Sequence, residues 1–359
     1  MSRETWRERG SGRSVGPVVR LAVTLCLFLL AIRLLGAATD ALRPMLRRTL
    51  RSVVVGNPSA LGLSWFASYV LANGSVVAAL SLSLFDSQLI PPSHLYLMIV
   101  GSRLGGAAVV VFVGAADYLN EEIDSLRDAT RLGLLTFLLT HSIYLPVLAL
   151  GVVLVPLVDR VGDGGGGLSG PEPNVPDVVS TLADTVVVVL GPGVAFLSAL
   201  ALIFVSLRLF DGLLDNLDKD RLRRRYITRL NDKWVSFGLG LVVTGLTTSV
   251  AFSLGVVVPL YNRGHVERTE IMPFVLGANI GTLVDTLLVA VALESRVGIL
   301  VVLVLLAGGT VVSVLALLWY PRYSAAIAAL QTQIVERPAY FAGFLLSLLL
   351  APLALLAVR

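Results

Sequence analysis

Nine stretches of almost uninterrupted apolar residues are the feature that most limits the fold of this 359-residue chain. Most are about 20 residues long or slightly longer, which is the length an α-helix needs to cross ~30 Å of hydrocarbon. The chain is 56% hydrophobic and only 14% charged, more apolar than a soluble core requires. The sequence therefore predicts an all-α polytopic membrane protein with about eight or nine hydrophobic segments. They are Val18–Thr39, Leu61–Phe85, Leu95–Ala116, Leu132–Val158, Thr185–Phe210, Val235–Leu260, Ile271–Leu293, Gly298–Tyr320 and Tyr340–Val358.

A segment rich in glycine and proline, Gly162–Asp177, separates the fourth run from the fifth. It holds four consecutive glycines and three prolines, a composition typical of a flexible linker. The predicted organisation is a disordered basic N-terminus at 1–17, a first membrane repeat at 18–160, a linker at 161–178 and a second repeat at 179–359. The last of these includes a C-terminal helix.

The two halves resemble each other at a constant shift of 176 positions. The shift places Gly101–Gly105 on Gly277–Gly281, and it places the polar patch Ala72–Ser75 on Thr248–Ala251. Chance agreement between simple membrane sequences is the alternative. Two motifs at one shift favour a duplication, and paired interrupted segments in two related halves are typical of secondary transporters with inverted repeats.

The run Ile271–Leu293 contains the motif Gly-Ala-Asn-Ile-Gly-Thr at 277–282. At bilayer depth, polar groups and opened backbone persist only where protein buries them or where they line a wet cavity. We therefore predict an interrupted or re-entrant helix at a solute or ion site. Close helix packing by small residues is the alternative for the glycines. The candidate binding residues are Asn73, Gly74, Ser75, Gly101, Ser102, Arg103, Gly105, Thr247, Thr248, Ser249, Gly277, Asn279, Gly281, Thr282 and Asp285.

Two charged residues lie near the middle of apolar runs. Asp285 stands about midway along its run and Arg103 lies eight or nine residues into another. A charge at that depth costs ~3 kcal/mol on insertion scales, which makes each a functional hypothesis. Asp285 could bind a cation or carry a proton, and Arg103 could attract an anion. The alternative is a structural ion pair between the two.

A cluster of hydroxyl residues lies in an apolar segment about 30 residues before the motif at 277–282. This combination resembles the sequence pattern of the type II sodium-dependent phosphate cotransporter family. In that family, each of two inverted repeats pairs a Gln-Ser-Ser-Ser type patch with a Gly-Ala-Asn-Ile-Gly type patch. This chain departs from the pattern: Thr248 and Ala72 stand at the glutamine positions, Arg103 replaces one motif asparagine, and Asp285 stands where threonine is usual.

The resemblance implies sodium-coupled uptake of inorganic phosphate across the cell membrane by alternating access, with no cofactor other than the coupling ion. Sodium prefers hard oxygen ligands, and we predict a sodium site at Thr248, Ser249, Asn279 and Asp285. Phosphate prefers the N–H groups at the start of a helix together with a hydroxyl or a guanidinium.

Several other classes of function are disfavoured. No Walker, Rossmann, His-Glu-x-x-His or nucleophile-elbow motif occurs, so we expect neither an enzyme nor an ATP-driven pump. The basic residues gather at helix ends, as expected for contact with the lipid surface rather than with nucleic acid. The alternatives are a proton-coupled carrier of another small solute, a non-transporting scaffold or sensor derived from a carrier, and an ion channel.

Overall fold

The computed structural model describes residues 17–119, 125–163, 177–215, 232–247 and 268–358. These residues form helices joined by short turns, and no strand occurs among them. In chain order the helices are α1 Pro17–Ala41, α2 Arg43–Val53, α3 Asn57–Val70, α4 Gly74–Asp86, α5 Pro92–Leu119, α6 Leu126–Asp163, α7 Asp177–Leu190, α8 Pro192–Asp215, α9 Lys233–Thr247, α10 Arg268–Gly281, α11 Leu283–Ala292, α12 Arg296–Leu318, α13 Tyr320–Glu336 and α14 Pro338–Ala357.

Seven segments in the described part of the chain are long and apolar enough to cross a bilayer. Several of them expose leucine and valine side chains that a soluble protein would bury, and a lipid environment accounts for this exposure. The prediction of an all-α polytopic membrane protein is confirmed. The segments are Val19–Ala41, Pro92–Ala116, Ala129–Gly151, Pro192–Phe210, Thr269–Ala292, Arg296–Leu318 and Pro338–Ala357.

Two of the predicted continuous runs are interrupted. The run Leu61–Phe85 is divided into α3 and α4, of 14 and 13 residues, each only ~20 Å long. Ala72 between them has a φ of 49°, in the left-handed region, so the helix cannot continue through it. The run Thr185–Phe210 is divided at Gly191, with a φ of 79°, before Pro192 begins α8. Of Val235–Leu260, α9 accounts for the part up to Thr247, and the rest lies outside the described residues.

Helices α3 and α4 form a hairpin that ends near the middle of α5. Gly101 and Gly105 of α5 lie against Leu61 and Trp65 of α3, in the same order along both helices, so α3 and α5 are parallel. Helix α4 starts beside Ser102 of α5 and leads back to the beginning of α5. The chain therefore enters, turns at Leu71–Asn73 and returns, which is a re-entrant arrangement.

The predicted interruption at Gly277–Thr282 is confined to Thr282, which lies between α10 and α11. Residues up to Gly281 are helical, and the Thr282 N–H donates to the Ala278 carbonyl at 3.0 Å. A Cβ atom on Gly277 would collide with the Phe237 carbonyl oxygen and lie 2.8 Å from the Leu241 nitrogen. The glycines are present because two helix backbones touch, which is the close-packing alternative. In the first half, the interruption lies instead at Leu71–Asn73.

The internal duplication is confirmed by matching contacts. A Cβ atom on Gly101 would lie 2.5 Å from the Leu61 carbonyl oxygen and 3.2 Å from the Trp65 nitrogen. The residues 176 positions later are Phe237 and Leu241, and their carbonyl oxygen and nitrogen face Gly277 in the same way. Helices α3 and α5 in the first half thus pack as α9 and α10 do in the second.

The two halves run in opposite directions. Helix α12 begins beside the end of the first hairpin, where Gly298 lies against Leu82. About 28 Å farther along α12, the carbonyl of Leu317 accepts a hydrogen bond from Lys233 at the start of α9. Helix α5 and the parallel helix α3 begin at the end where α12 begins. Helix α9, the counterpart of α3, begins at the opposite end, so the repeats are inverted.

Substituting Gly277 with alanine should destabilise the protein by about 1–3 kcal/mol, because the new methyl group overpacks a backbone contact. The matched control is Gly308→Ala in α12, where the added Cβ would lie 3.7 Å from the nearest Val147 atom, an ordinary contact. Unfolding midpoints in detergent measure the difference. Equal midpoints for the two variants would contradict a backbone contact at Gly277.

Candidate functional site

A buried ion pair joins the two repeats. Arg103 of α5 donates from Nη2 to Oδ1 of Asp285 in α11 at 3.0 Å. The side chains are only 7% and 2% exposed, so both charges have been removed from water. A buried pair is tolerated only when further hydrogen bonds satisfy the remaining polar atoms.

The Asp285 carboxylate receives these further hydrogen bonds from both repeats. The Ser75 hydroxyl, at the start of α4, donates to Oδ2. The Thr286 hydroxyl donates to Oδ1 at 2.8 Å and accepts from Arg103. Ser75, Arg103, Asp285 and Thr286 form what we call the ion-pair cluster. In this cluster the Asp285 carboxylate is an anion surrounded by hydrogen-bond donors.

The tip of the hairpin delivers one of these donors. Asn73 caps α4, since its Oδ1 accepts from the backbone N–H groups of Ser75 at 2.8 Å and Val76 at 3.1 Å. Gly74 touches the Ser102 carbonyl so closely that a Cβ atom would collide with it. The small residue therefore lets the positive end of α4 approach the carboxylate through Ser75.

A second polar group surrounds Asn279. Its Oδ1 accepts from Thr140 of α6 at 2.8 Å, and its Nδ2 donates to the Val275 carbonyl at 2.9 Å. The backbone carbonyl of Asn279 accepts from the Tyr144 hydroxyl at 2.9 Å and from Thr282 at 2.7 Å. We call Thr140, Tyr144, Asn279 and Thr282 the amide cluster.

The two clusters are neighbours but are not one ligand set. Asn279 and Asp285 are six residues apart, or ~9 Å along a helix and on different faces. Within the amide cluster, Tyr144 is next to Thr282 and is close enough to Arg103 and Asp285 to interact with their charges. Of the predicted sodium ligands, Asn279 and Asp285 do not converge in this arrangement, and Thr248 and Ser249 lie outside the described residues.

The remaining candidate residues have structural contacts. Gly101, Gly105, Gly277 and Gly281 lie against neighbouring helices. The buried Ser102 donates to the Ile99 carbonyl, and its own carbonyl accepts from Ser68 at 3.3 Å. Thr247 is buried at the end of α9, with its hydroxyl 3.5 Å from the Thr244 carbonyl.

Three residues of these clusters were missed by the sequence analysis. Thr140 and Tyr144 are four positions apart in α6 and therefore share one face of that helix. This spacing inside an apolar run was the available signal. For Thr286, the only signal in the sequence was its position next to Asp285.

Arg103 has spare donor capacity. Its Nε is buried and has no hydrogen-bond partner in the part of the chain that the structure describes. A guanidinium has five N–H donors in a planar fork suited to oxyanions. A buried donor without a partner is costly, so this nitrogen is available to an additional acceptor.

Inverted repeats, a re-entrant hairpin and a charged cluster between the halves are together typical of secondary transporters. Residues 202–348 match the family model described as Na+/Pi-cotransporter. The chain is also 31% identical over 101 residues to the uncharacterized protein YqeW of Bacillus subtilis (strain 168), covering 28% of this chain and 33% of that protein. No solved structure matches.

Proposed function

We propose that this protein couples the entry of sodium to the uptake of inorganic phosphate across the cell membrane by alternating access. One observation carries the proposal: donors from both inverted repeats converge on a single anion, the Asp285 carboxylate. A site built this way between two halves can be exposed to either side when one half moves against the other.

The proposed substrate position is the one that the Asp285 carboxylate now occupies. Arg103 would donate to a phosphate oxygen as it donates to Asp285, with its free Nε completing a two-point contact. Ser75 and the start of α4 supply the donors that favour phosphate at helix N-termini. In this scheme phosphate competes with Asp285 for these donors.

Sodium then acts on the displaced carboxylate. An unpaired Asp285 at this depth would be costly. A sodium ion bound to its oxygens would remove the cost, and phosphate binding would therefore require the cation.

Uptake of radiolabelled phosphate into proteoliposomes tests the proposal. We expect uptake with an inward sodium gradient and at least tenfold less with potassium in its place. Arg103→Gln should abolish uptake. Glu294→Gln, which removes a carboxylate from the separate pair with Arg33, should retain it. Absence of uptake, or equal uptake with both cations, would refute sodium-coupled phosphate transport.

A proton-coupled carrier of another small solute is the second candidate, favoured by the buried carboxylate of Asp285. In that case a proton, rather than sodium, would neutralise Asp285 when the ion pair opens. Solute uptake driven by a pH gradient without sodium, and lost in Asp285→Asn, would select this function over the first.

A further inference from the structure

A pocket of about 470 Å³ lies between α2 and the turn that connects α4 to α5. Its lining includes the cationic side chains Arg47 and Arg51 and the imidazole of His94. The lining also includes apolar side chains, among them Leu50, Phe85 and Ile90. We call this cavity the surface pocket; it is separate from the ion-pair cluster and from the amide cluster.

The surface pocket lies at the level of the bilayer surface. Its lining includes Pro91 and His94, at the point where the span Pro92–Ala116 begins. Helix α2 is short and strongly amphipathic, has no buried residue, and carries Met45 67% exposed beside its arginines. A helix of this kind lies in the interface between water and hydrocarbon.

Arg47 and Arg51 of the surface pocket have no carboxylate partner among the residues that the structure describes. Arg47 and Arg51 are four positions apart, on one face of α2, and neither forms a hydrogen bond or ion pair with a described residue. Of the carboxylates closest in sequence to the pocket lining, Asp40 pairs with Arg43 at 2.7 Å, and the exposed Asp86 forms no ion pair with Arg47 or Arg51. Two adjacent like charges repel each other, so an external anion would stabilise the pocket.

We propose that the surface pocket binds an anionic phospholipid, with its headgroup phosphate between Arg47 and Arg51. The apolar surface, which Leu89 extends, would accept the first part of an acyl chain. A free phosphate ion would use the arginines but leave this apolar surface without a partner. The combination of two arginines, apolar lining side chains and interfacial depth therefore favours a lipid.

Native mass spectrometry of the full chain in detergent, titrated with phosphatidylglycerol, measures the binding. At ~1 kcal/mol for each arginine, Arg47→Gln and Arg51→Gln should each weaken the affinity about fivefold, and the double variant about 30-fold. Arg48→Gln is the matched control, because Arg48 is an exposed arginine of the same helix that does not line the pocket. It should change the affinity by less than about twofold.

Three results would overturn the proposal. An equal loss in Arg48→Gln would show general attraction to a basic helix. Displacement of the lipid by inorganic phosphate at similar concentration would show a site for the free ion. Equally tight binding of phosphatidylcholine would show that the arginines do not select the headgroup charge.

Discussion

Asp285→Ala should destabilise the protein by about 3–5 kcal/mol, the largest effect expected of any single substitution here. The variant leaves the Arg103 guanidinium buried at 7% exposure without its counter-ion. It also removes the acceptor of the Ser75 and Thr286 hydroxyls. Arg103→Met should cost a similar amount because it strands the carboxylate.

The double variant Arg103→Met/Asp285→Leu distinguishes a paired charge from two independent ones. Because no charge is stranded, it should be much more stable than the sum of the single effects predicts. Denaturation in detergent measures all three variants. Glu294→Gln, at a partly exposed ion pair, should cost less than about 1 kcal/mol. Additive losses in the double variant would argue against coupling between Arg103 and Asp285.

Asp285→Asn should raise the affinity for phosphate about 10–100-fold while lowering sodium-driven uptake. The proposed function makes the Asp285 carboxylate a competitor for the donors that hold phosphate, and asparagine retains the shape without the charge. A charge-assisted hydrogen bond contributes about 1.5–3 kcal/mol, which sets the range. Isothermal titration with phosphate measures the affinity, with and without sodium.

The response to sodium provides the internal control. Sodium should strengthen phosphate binding to the unmodified protein but not to Asp285→Asn, which lacks the carboxylate that the cation neutralises. Weaker phosphate binding in Asp285→Asn would show that the carboxylate supports the anion site instead of competing for it.

The membrane class and the duplication could be predicted because both leave a pattern in short stretches of sequence, namely long apolar runs and a repeated glycine motif. Apolar runs of spanning length leave few folds available. The two glycine motifs recur at one shift because each meets the same backbone atoms, at Leu61 and Trp65 or at Phe237 and Leu241. The ion pair of Arg103 with Asp285 was one of the alternatives that the sequence left open, and the structure contains it.

The location of the backbone interruption could not be predicted from the glycines. A glycine that permits an opened helix and one that permits close packing are identical in sequence, and only the neighbouring helix distinguishes them. The better signal was Asn73-Gly74-Ser75, since asparagine is a strong N-cap and marks the start of a new helix. The contact of Thr140 with Asn279 joins residues 139 positions apart and had no local signature.

The direct backbone contact between α3 and α5, repeated between α9 and α10, restricts how this molecule can change shape. Only small side chains such as Ser64, Ser68 and Thr244 lie between the partners of each pair, so sliding or rolling would cause a steric clash. Each helix pair therefore moves as one rigid unit. Any large displacement must occur at the interface between these units, where Ser75 and Arg103 donate hydrogen bonds to Asp285.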